Sequence, residues 1–351
     1  MNDTETRPRS LRYPWTTPPE QGALCEVAPD VYWFRLPLPM ALDHMNGYAL
    51  DEGDSWTLVD TGIDRPACRA ALQALLEGPL SSKPVGRVVV THHHPDHIGL
   101  AGWLQAQGAE LWTTRTAWLM ARMLQLDVQE RPDAQTVAFW KAAGMRADIL
   151  AKRLAERPFN FADCTAPLPL GYRRLVEGEV LRMAGRDWTV RMGHGHAPEH
   201  ATFWSEDLVL GGDQILPSIS ANLGVYATEP EADPVAGWMD STRGFRPYAT
   251  ECQLVLPGHK LPFYGLPTRL DQMIQNHEGA LKRLRAHLGA HPGGGPKTAC
   301  DCFPPLFKRE ITEAVYGLAM VEAVAHLNHL HHRGEVGRVA RADGAWLWHL
   351  L

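Results

Sequence analysis

The stretch Thr91-His92-His93-His94-Pro95-Asp96-His97 constrains this chain more than any other. It follows the apolar run Val88-Val89-Val90, which reads as a buried strand. Four imidazoles and a carboxylate are therefore delivered at a strand end, on a loop bounded by Pro95 and Gly99. Neutral imidazole and carboxylate are good ligands for zinc and similar ions. Along an extended loop His92, His94 and Asp96 share one side, and His97 sits one step on. A single ion does not comfortably take all four from so short a loop, whereas two adjacent ions do. The plainer alternative is a surface His-rich loop with incidental metal affinity. His93 alternates to the opposite side and reads as structural.

The rest of the chain decides between these readings. Its 351 residues can bury a large core, and length alone points to two domains. No apolar run approaches the roughly 20 residues needed to cross a bilayer. Residues 1–20 are polar and Pro-rich with no signal-peptide core, so a cytoplasmic location is expected. Six scattered Cys make no disulfide framework, and a net charge of −6 gives no global signal for nucleic acid.

Residues 1–22 read as a flexible arm broken by Pro8, Pro14, Pro18 and Pro19. Strands are expected at 31–34, 46–50 and 56–60, a helix at 66–76, a strand at 88–90 and a helix at 98–107. Strand signals return at 188–192, 208–210 and 254–256. Five times an apolar strand ends in a small turn bearing His or Asp, at Asp60, the 91–97 loop, the 193–200 loop, Asp213 and His259. Open α/β folds assemble their sites in this way, at the carboxyl ends of strands. Residues 113–160 lack strand signals, and Trp118, Met120, Met123, Phe139, Trp140 and Met145 fall at helical spacing. Two or three helices inserted into the 23–266 catalytic domain are expected there, either as packing or as a lid with an adaptable apolar wall. From 267 to 351 come helices, a linker-like His291-Pro292-Gly293-Gly294-Gly295-Pro296, and a hairpin around Asp343-Gly344. The histidines at 326, 329, 331 and 332 read as a solvated helix end.

The set His92, His94, Asp96, His97, His196, Asp213 and His259 resembles the metal constellation of the metallo-β-lactamase-fold hydrolases. The His-x-His-x-Asp-His motif is matched in full at 92–97, and the later ligands follow in the same order. Gly195-His196-Ala197-Pro198-Glu199-His200 departs from the Gly-His-Thr-Pro-Gly-His of glyoxalase II, but no ligand is lost. The resemblance implies an αββα sandwich with the site along one edge, here carrying a helical insert. It also implies two divalent ions, with zinc expected and iron or manganese accepted. His92, His94 and His196 would hold the first, Asp96, His97 and His259 the second, and Asp213 would bridge them. Asp60 would orient a ligand imidazole from behind. His200 reads as a hydrogen-bonded supporting residue, and His194 as supporting or structural.

The activity implied is hydrolysis by a hydroxide shared between the ions, with Asp96 also carrying a proton to the leaving group. A small ester or thioester, of the acyl-CoA or acyl-glutathione kind, is the expected substrate. Asn222 and Tyr226, soon after Asp213, are candidate substrate contacts. The 267–351 tail resembles the winged-helix end of the lactamase-β-2-like branch, through His326-Leu327, Leu330, Gly334, Val336 and Trp346. That keeps two alternatives in play, an endoribonuclease and a non-hydrolytic metal protein. The tail holds ten Lys/Arg against eight Asp/Glu, so nucleic acid is the weaker partner candidate, and a homodimer stays open.

Overall fold

A computed structural model describes residues 10–289, 295–307 and 309–351. Two sheets form its centre. The first runs β1 (Cys25–Ala28), β2 (Val31–Pro37), β3 (His44–Asp51), β4 (Trp56–Val59), β5 (Val85–Val89), β6 (Glu110–Thr113) and β7 (Arg173–Arg174), in chain order. The second runs β12 (Leu254–Pro257), β11 (Leu208–Gly212), β10 (His200–Trp204), β9 (Arg186–Gly193) and β8 (Val180–Met183). Strands β4 to β7 pair in parallel, as do β11 and β12, while the other pairs in these sheets are antiparallel.

Alternation within the apolar runs builds the layers. Val89 of β5 faces a cluster shared with Trp188, Phe203, Leu210 and Leu256 of the other sheet. Val88 and Val90 face the opposite way, against α1 (Pro66–Glu77) and α3 (Ala101–Gln105). Likewise Leu254 and Leu256 of β12 point between the sheets, and Val255 points out to α7 (Pro234–Phe245) and α8 (Leu266–Gly289). Strands covered on both faces read as unbroken apolar runs, which is why they stood out in the sequence. The result is an αββα sandwich.

The 113–160 segment supplies three helices, α4 (Arg115–Leu126), α5 (Ala134–Ala142) and α6 (Ala147–Ala155). The C-terminal part adds α9 (Phe303–Phe307), α10 (Glu313–His332) and the hairpin β13 (Val336–Ala340) and β14 (Trp346–Leu350). These share one apolar cluster with α5, α6, α7 and α8. Among the described residues no helix is long and apolar enough to cross a membrane.

Three expectations need correction. The arm over 1–22 is anchored where it is described: Arg12 pairs its backbone with Tyr264 and stacks its guanidinium 4.1 Å over that ring, and Trp15 meets Trp33 edge-on. The helix expected over 98–107 is broken into α2 (Pro95–Ile98) and α3. Gly99 lies so close to the Gly62 backbone that a Cβ would stand 2.5 Å from the Gly62 carbonyl oxygen, and the Leu100 N–H goes to that same carbonyl. Finally, His326 and His329 are buried, because α10 is apolar on almost every side and packs centrally. Residues 291–294 of the expected linker and 1–9 of the arm lie outside the described residues.

Candidate metal centre

Both sheets contribute strand ends to one site. Asp60 follows β4 and the 91–97 loop follows β5 in the first sheet; His196, Asp213 and His259 follow β9, β11 and β12 in the second. Asp60 ties the first pair of ends together. It adopts a left-handed backbone (φ 60°), which Asp tolerates better than most side chains. Its carboxylate accepts from the Thr91 N–H and hydroxyl, each at 2.9 Å, and from His97 Nδ1 at 2.7 Å. In the second sheet Gly258 brings the β12 end against Asp213, where a Cβ would stand 2.3 Å from Oδ1.

Four of the five imidazoles, His92, His97, His196 and His259, are fixed from behind and aim the other nitrogen inward. His259 Nδ1 donates to the His44 carbonyl at 2.7 Å, and His196 Nδ1 donates to the Asn222 carbonyl at 3.0 Å. His92 Nδ1 lies 2.9 Å from the Thr91 hydroxyl. On the inner side His92 Nε2 and His196 Nε2 each stand 3.0 Å from His94 Nδ1. His259 Nε2 stands 3.4 Å from Asp96 Oδ2, and His97 Nε2 stands 3.7 Å from it. Asp213 lies between: Oδ2 is 3.4 Å from His196 Nε2 and 3.2 Å from His259 Nε2, and Oδ1 is 3.4 Å from His97 Nε2.

These residues fit a metal. Donor atoms about 2.0–2.2 Å from a tetrahedral ion stand roughly 3.3–3.6 Å apart, close to the spacings above. Three groups with ligand atoms within 4.8 Å of one another emerge: His92, His94 and His196; His92, His97 and Asp213; and Asp96, His97 and His259. Moreover His97 Nε2 and Asp213 Oδ1 are buried with no hydrogen-bond partner, a costly state that a cation would relieve.

The charges agree. Burial, then neighbouring imidazoles, hold His92 and His94 well below the ordinary imidazole pKa, which keeps them neutral and able to ligate. Burial would also lower His97 and His259, but Asp213 and other carboxylates outweigh it and raise both, His259 to about 10. Burial would raise the Asp213 carboxyl, yet His259 and His97 pull it well below the carboxylate range. The site therefore carries negative carboxylates whose countercharge, without an ion, must come from its own imidazoles.

The remaining candidates lie around this centre. His200 accepts at Nε2 from the Asp213 N–H (3.0 Å), and its ring stacks on His92. His194 donates from Nδ1 to the Pro198 carbonyl, and His93 is buried beside His94. Asn222 meets the site only through its carbonyl; its side-chain amide donates to Glu322 and to the Leu318 carbonyl of α10. Tyr226 is half exposed, its ring folded over Gly224. Sequence reasoning missed Thr91 and His44. Thr91 adjoins the motif and could have been found there; His44 meets His259 across 215 positions, with no local signal.

Residues 43–250 match the metallo-beta-lactamase superfamily model, over more than half of the chain. The chain belongs to the metallo-beta-lactamase superfamily. Residues 286–350 match the metallo-beta-lactamase-like C-terminal domain. The chain is similar to a beta-lactamase domain protein from Burkholderia ambifaria, at 34% identity and a TM-score of 0.88, covering 97% of this chain and 98% of that one. A metallo-beta-lactamase family protein from Thermus thermophilus is 27% identical with a TM-score of 0.75, over 93% and 100% of the two chains. Probable metallo-hydrolase YqjP of Bacillus subtilis (strain 168) is 26% identical over 85% of this chain and 91% of its own. At this level the protein is a metallo-hydrolase of the metallo-beta-lactamase superfamily with a His/Asp cluster suited to divalent metal. The superfamily match ends at residue 250, before His259, which joins the cluster through β12.

Proposed function

We propose that the protein is a two-metal hydrolase of small esters or thioesters, with zinc as the metal. The observation that carries the two-metal reading is Asp213. One carboxylate reaches His196 of the trio formed with His92 and His94, and also His97 and His259 of the trio that includes Asp96. Bound divalent metal would supply a water of near-neutral pKa and a Lewis acid for the carbonyl oxygen.

The chain supplies the rest. Asp60, the His44 carbonyl and the Asn222 carbonyl hold three imidazoles in one tautomer and orientation. Asp96 keeps some exposure at the mouth, with its side chain 17% accessible against 9% for Asp213. It is placed to take a proton at its carboxylate and return it to the leaving oxygen or sulfur. The apolar insert supports an acyl substrate: α4 exposes Leu119, Met123 and Leu126, and the Thr116 N–H in its first turn donates to Glu199, three residues after His196.

The test is a substrate panel on metal-verified protein, with acyl-CoA and acyl-glutathione thioesters beside single-stranded RNA. Thioester turnover that a chelator removes and zinc restores is the expected result. RNA cleavage without thioester turnover would overturn the ester reading in favour of an endoribonuclease.

A further inference from the structure

Beside the metal centre lies a cleft of about 390 Å³ whose walls include Arg35, His44, Lys260, Tyr13, Thr16 and Ser218. Among the described residues its lining holds two permanent cations and no carboxylate. Among the described residues the Arg35 guanidinium is hydrogen-bonded to neutral oxygens, Nε to Asn46 Oδ1 at 3.0 Å and Nη2 to the Lys260 carbonyl at 2.9 Å. The nearby acid, Asp43, is engaged with His44 Nδ1 at 2.7 Å. Positive charge is thus concentrated there in a protein whose net charge is −6.

The backbone under this charge is fixed with unusual thoroughness. Lys260 is a non-glycine residue in the left-handed region, at φ 71°. Such a conformation persists only where the surroundings over-determine it. Here the Lys260 N–H donates to His44 Nε2 (3.0 Å), and its carbonyl accepts from Asn46 Nδ2 (2.8 Å) as well as from Arg35. Lys260 directly follows His259, and the His44 residue that lines the cleft also holds His259 through its carbonyl. The arm residues Tyr13 and Thr16 close the far side, brought there by the pairing of Arg12 with Tyr264.

We propose that this cleft is an anion subsite, in which Lys260 and Arg35 receive a carboxylate or phosphate group carried by the substrate. The inference rests on the ester or thioester reading above and narrows it to anionic members of that class. A guanidinium and an ammonium around one hollow suit such a group, since charge-assisted hydrogen bonds are the strong ones.

Two matched pairs test it on the zinc-loaded protein. Mono-p-nitrophenyl glutarate against p-nitrophenyl butyrate places the charge on the acyl side. Butyryl-CoA against S-butyryl-N-acetylcysteamine places phosphate on the thiol side. In one pair the anionic member is expected to have a kcat/KM higher by about tenfold or more. Lys260→Asn, a residue that tolerates the left-handed backbone, should collapse that ratio, and Lys260→Arg should restore it. Ser218→Glu, on an exposed wall residue, should lower it by repulsion without touching the Lys260 backbone. Calorimetric titration with glutarate and inorganic phosphate gives a second readout, in which Lys260→Asn should weaken binding. Equal rates within both pairs and anion affinity unchanged by Lys260→Asn would overturn the subsite while leaving the hydrolase reading intact. A preference indifferent to both Lys260→Asn and Ser218→Glu would also overturn it. No turnover of any ester or thioester, with anion affinity still dependent on Lys260, would sink the ester reading and keep the subsite.

Discussion

Among the described residues two buried histidine clusters stand out, and one of them has the makings of a metal centre. The first gathers His92, His94, His97, His196 and His259 around Asp96 and Asp213. The second gathers His277 of α8 with His326 and His329 of α10, near Asp233 at the start of α7. Most of its nitrogens are engaged within the protein: His326 Nδ1 donates to the Glu322 carbonyl, His326 Nε2 lies 3.3 Å from His277 Nδ1, and His329 Nδ1 pairs with Asp233, which leaves His329 Nε2 buried without a partner and a single carboxylate nearby. Burial, then neighbouring imidazoles, hold His277 at about 3, and burial, opposed by the bond to the Glu322 carbonyl, holds His326 at about 4, so these rings are neutral packing groups. In the first cluster carboxylates converge on unpaired nitrogens and reverse that trend for His97 and His259. Histidine density therefore says little; inward-facing nitrogens around carboxylates at strand ends make the difference.

Paired substitutions would break this contrast most sharply. His94→Ala should cost on the order of a thousandfold or more in kcat/KM and reduce bound metal, with the melting transition retained. His326→Ala should leave metal content unchanged and cost about 2 kcal/mol of stability, through a cavity and the loss of the side-chain bonds to the Glu322 carbonyl and His277. Metal analysis beside thermal denaturation reads both. Normal turnover in His94→Ala at verified metal content would undo the site assignment, and metal loss in His326→Ala would join the two clusters functionally.

A smaller effect is expected one layer out. Asp60→Asn keeps a side chain suited to the left-handed backbone but weakens the hold on His97 Nδ1 and Thr91. Metal affinity, measured against a competing chelator, should fall about 10- to 100-fold. An unchanged affinity would reduce Asp60 to a brace between β4 and β5.

What the sequence revealed, and what it hid, follows the same division. The strands β4, β5, β11 and β12 were legible because each is buried on both faces, and their turn residues carry the chemistry in view. Strand β8 was missed: its alternation of exposed Val180 and Arg182 with buried Leu181 and Met183 is too short to stand out beside an apolar run. The docking of Trp15 and Arg12, the His44 carbonyl behind His259, and the burial of His326 and His329 depend on partners far away in the chain. No local spacing encodes such contacts. Asn222 shows the limit best. Its position after Asp213 made it a candidate substrate contact, yet its amide is engaged by Glu322, 100 positions later, and its carbonyl is what meets the site.

That link between α10 and His196 carries an effect confined to stability and to one pH range, and it sharpens the contrast by tying the second cluster's helix to the first cluster. Burial raises the Glu322 carboxyl from its ordinary 4.5 to about 7, against the opposing pull of the Asn222 amide. The folded state thus binds this proton more tightly than the unfolded chain does. The associated stability is fully present below pH 4.5 and is lost as pH climbs through 7. Glu322→Gln keeps an acceptor for Asn222 but has no proton to lose. Its stability relative to the parent should therefore grow from pH 4.5 to 7.5, reaching about 2 kcal/mol once partial solvent access is allowed for. Denaturation across that range measures the difference directly. A flat difference would mean that Glu322 is solvated and α10 only packs; a rising one, with metal binding retained, would mean that the helix holds the Asn222 carbonyl behind His196 at a cost in stability near neutral pH.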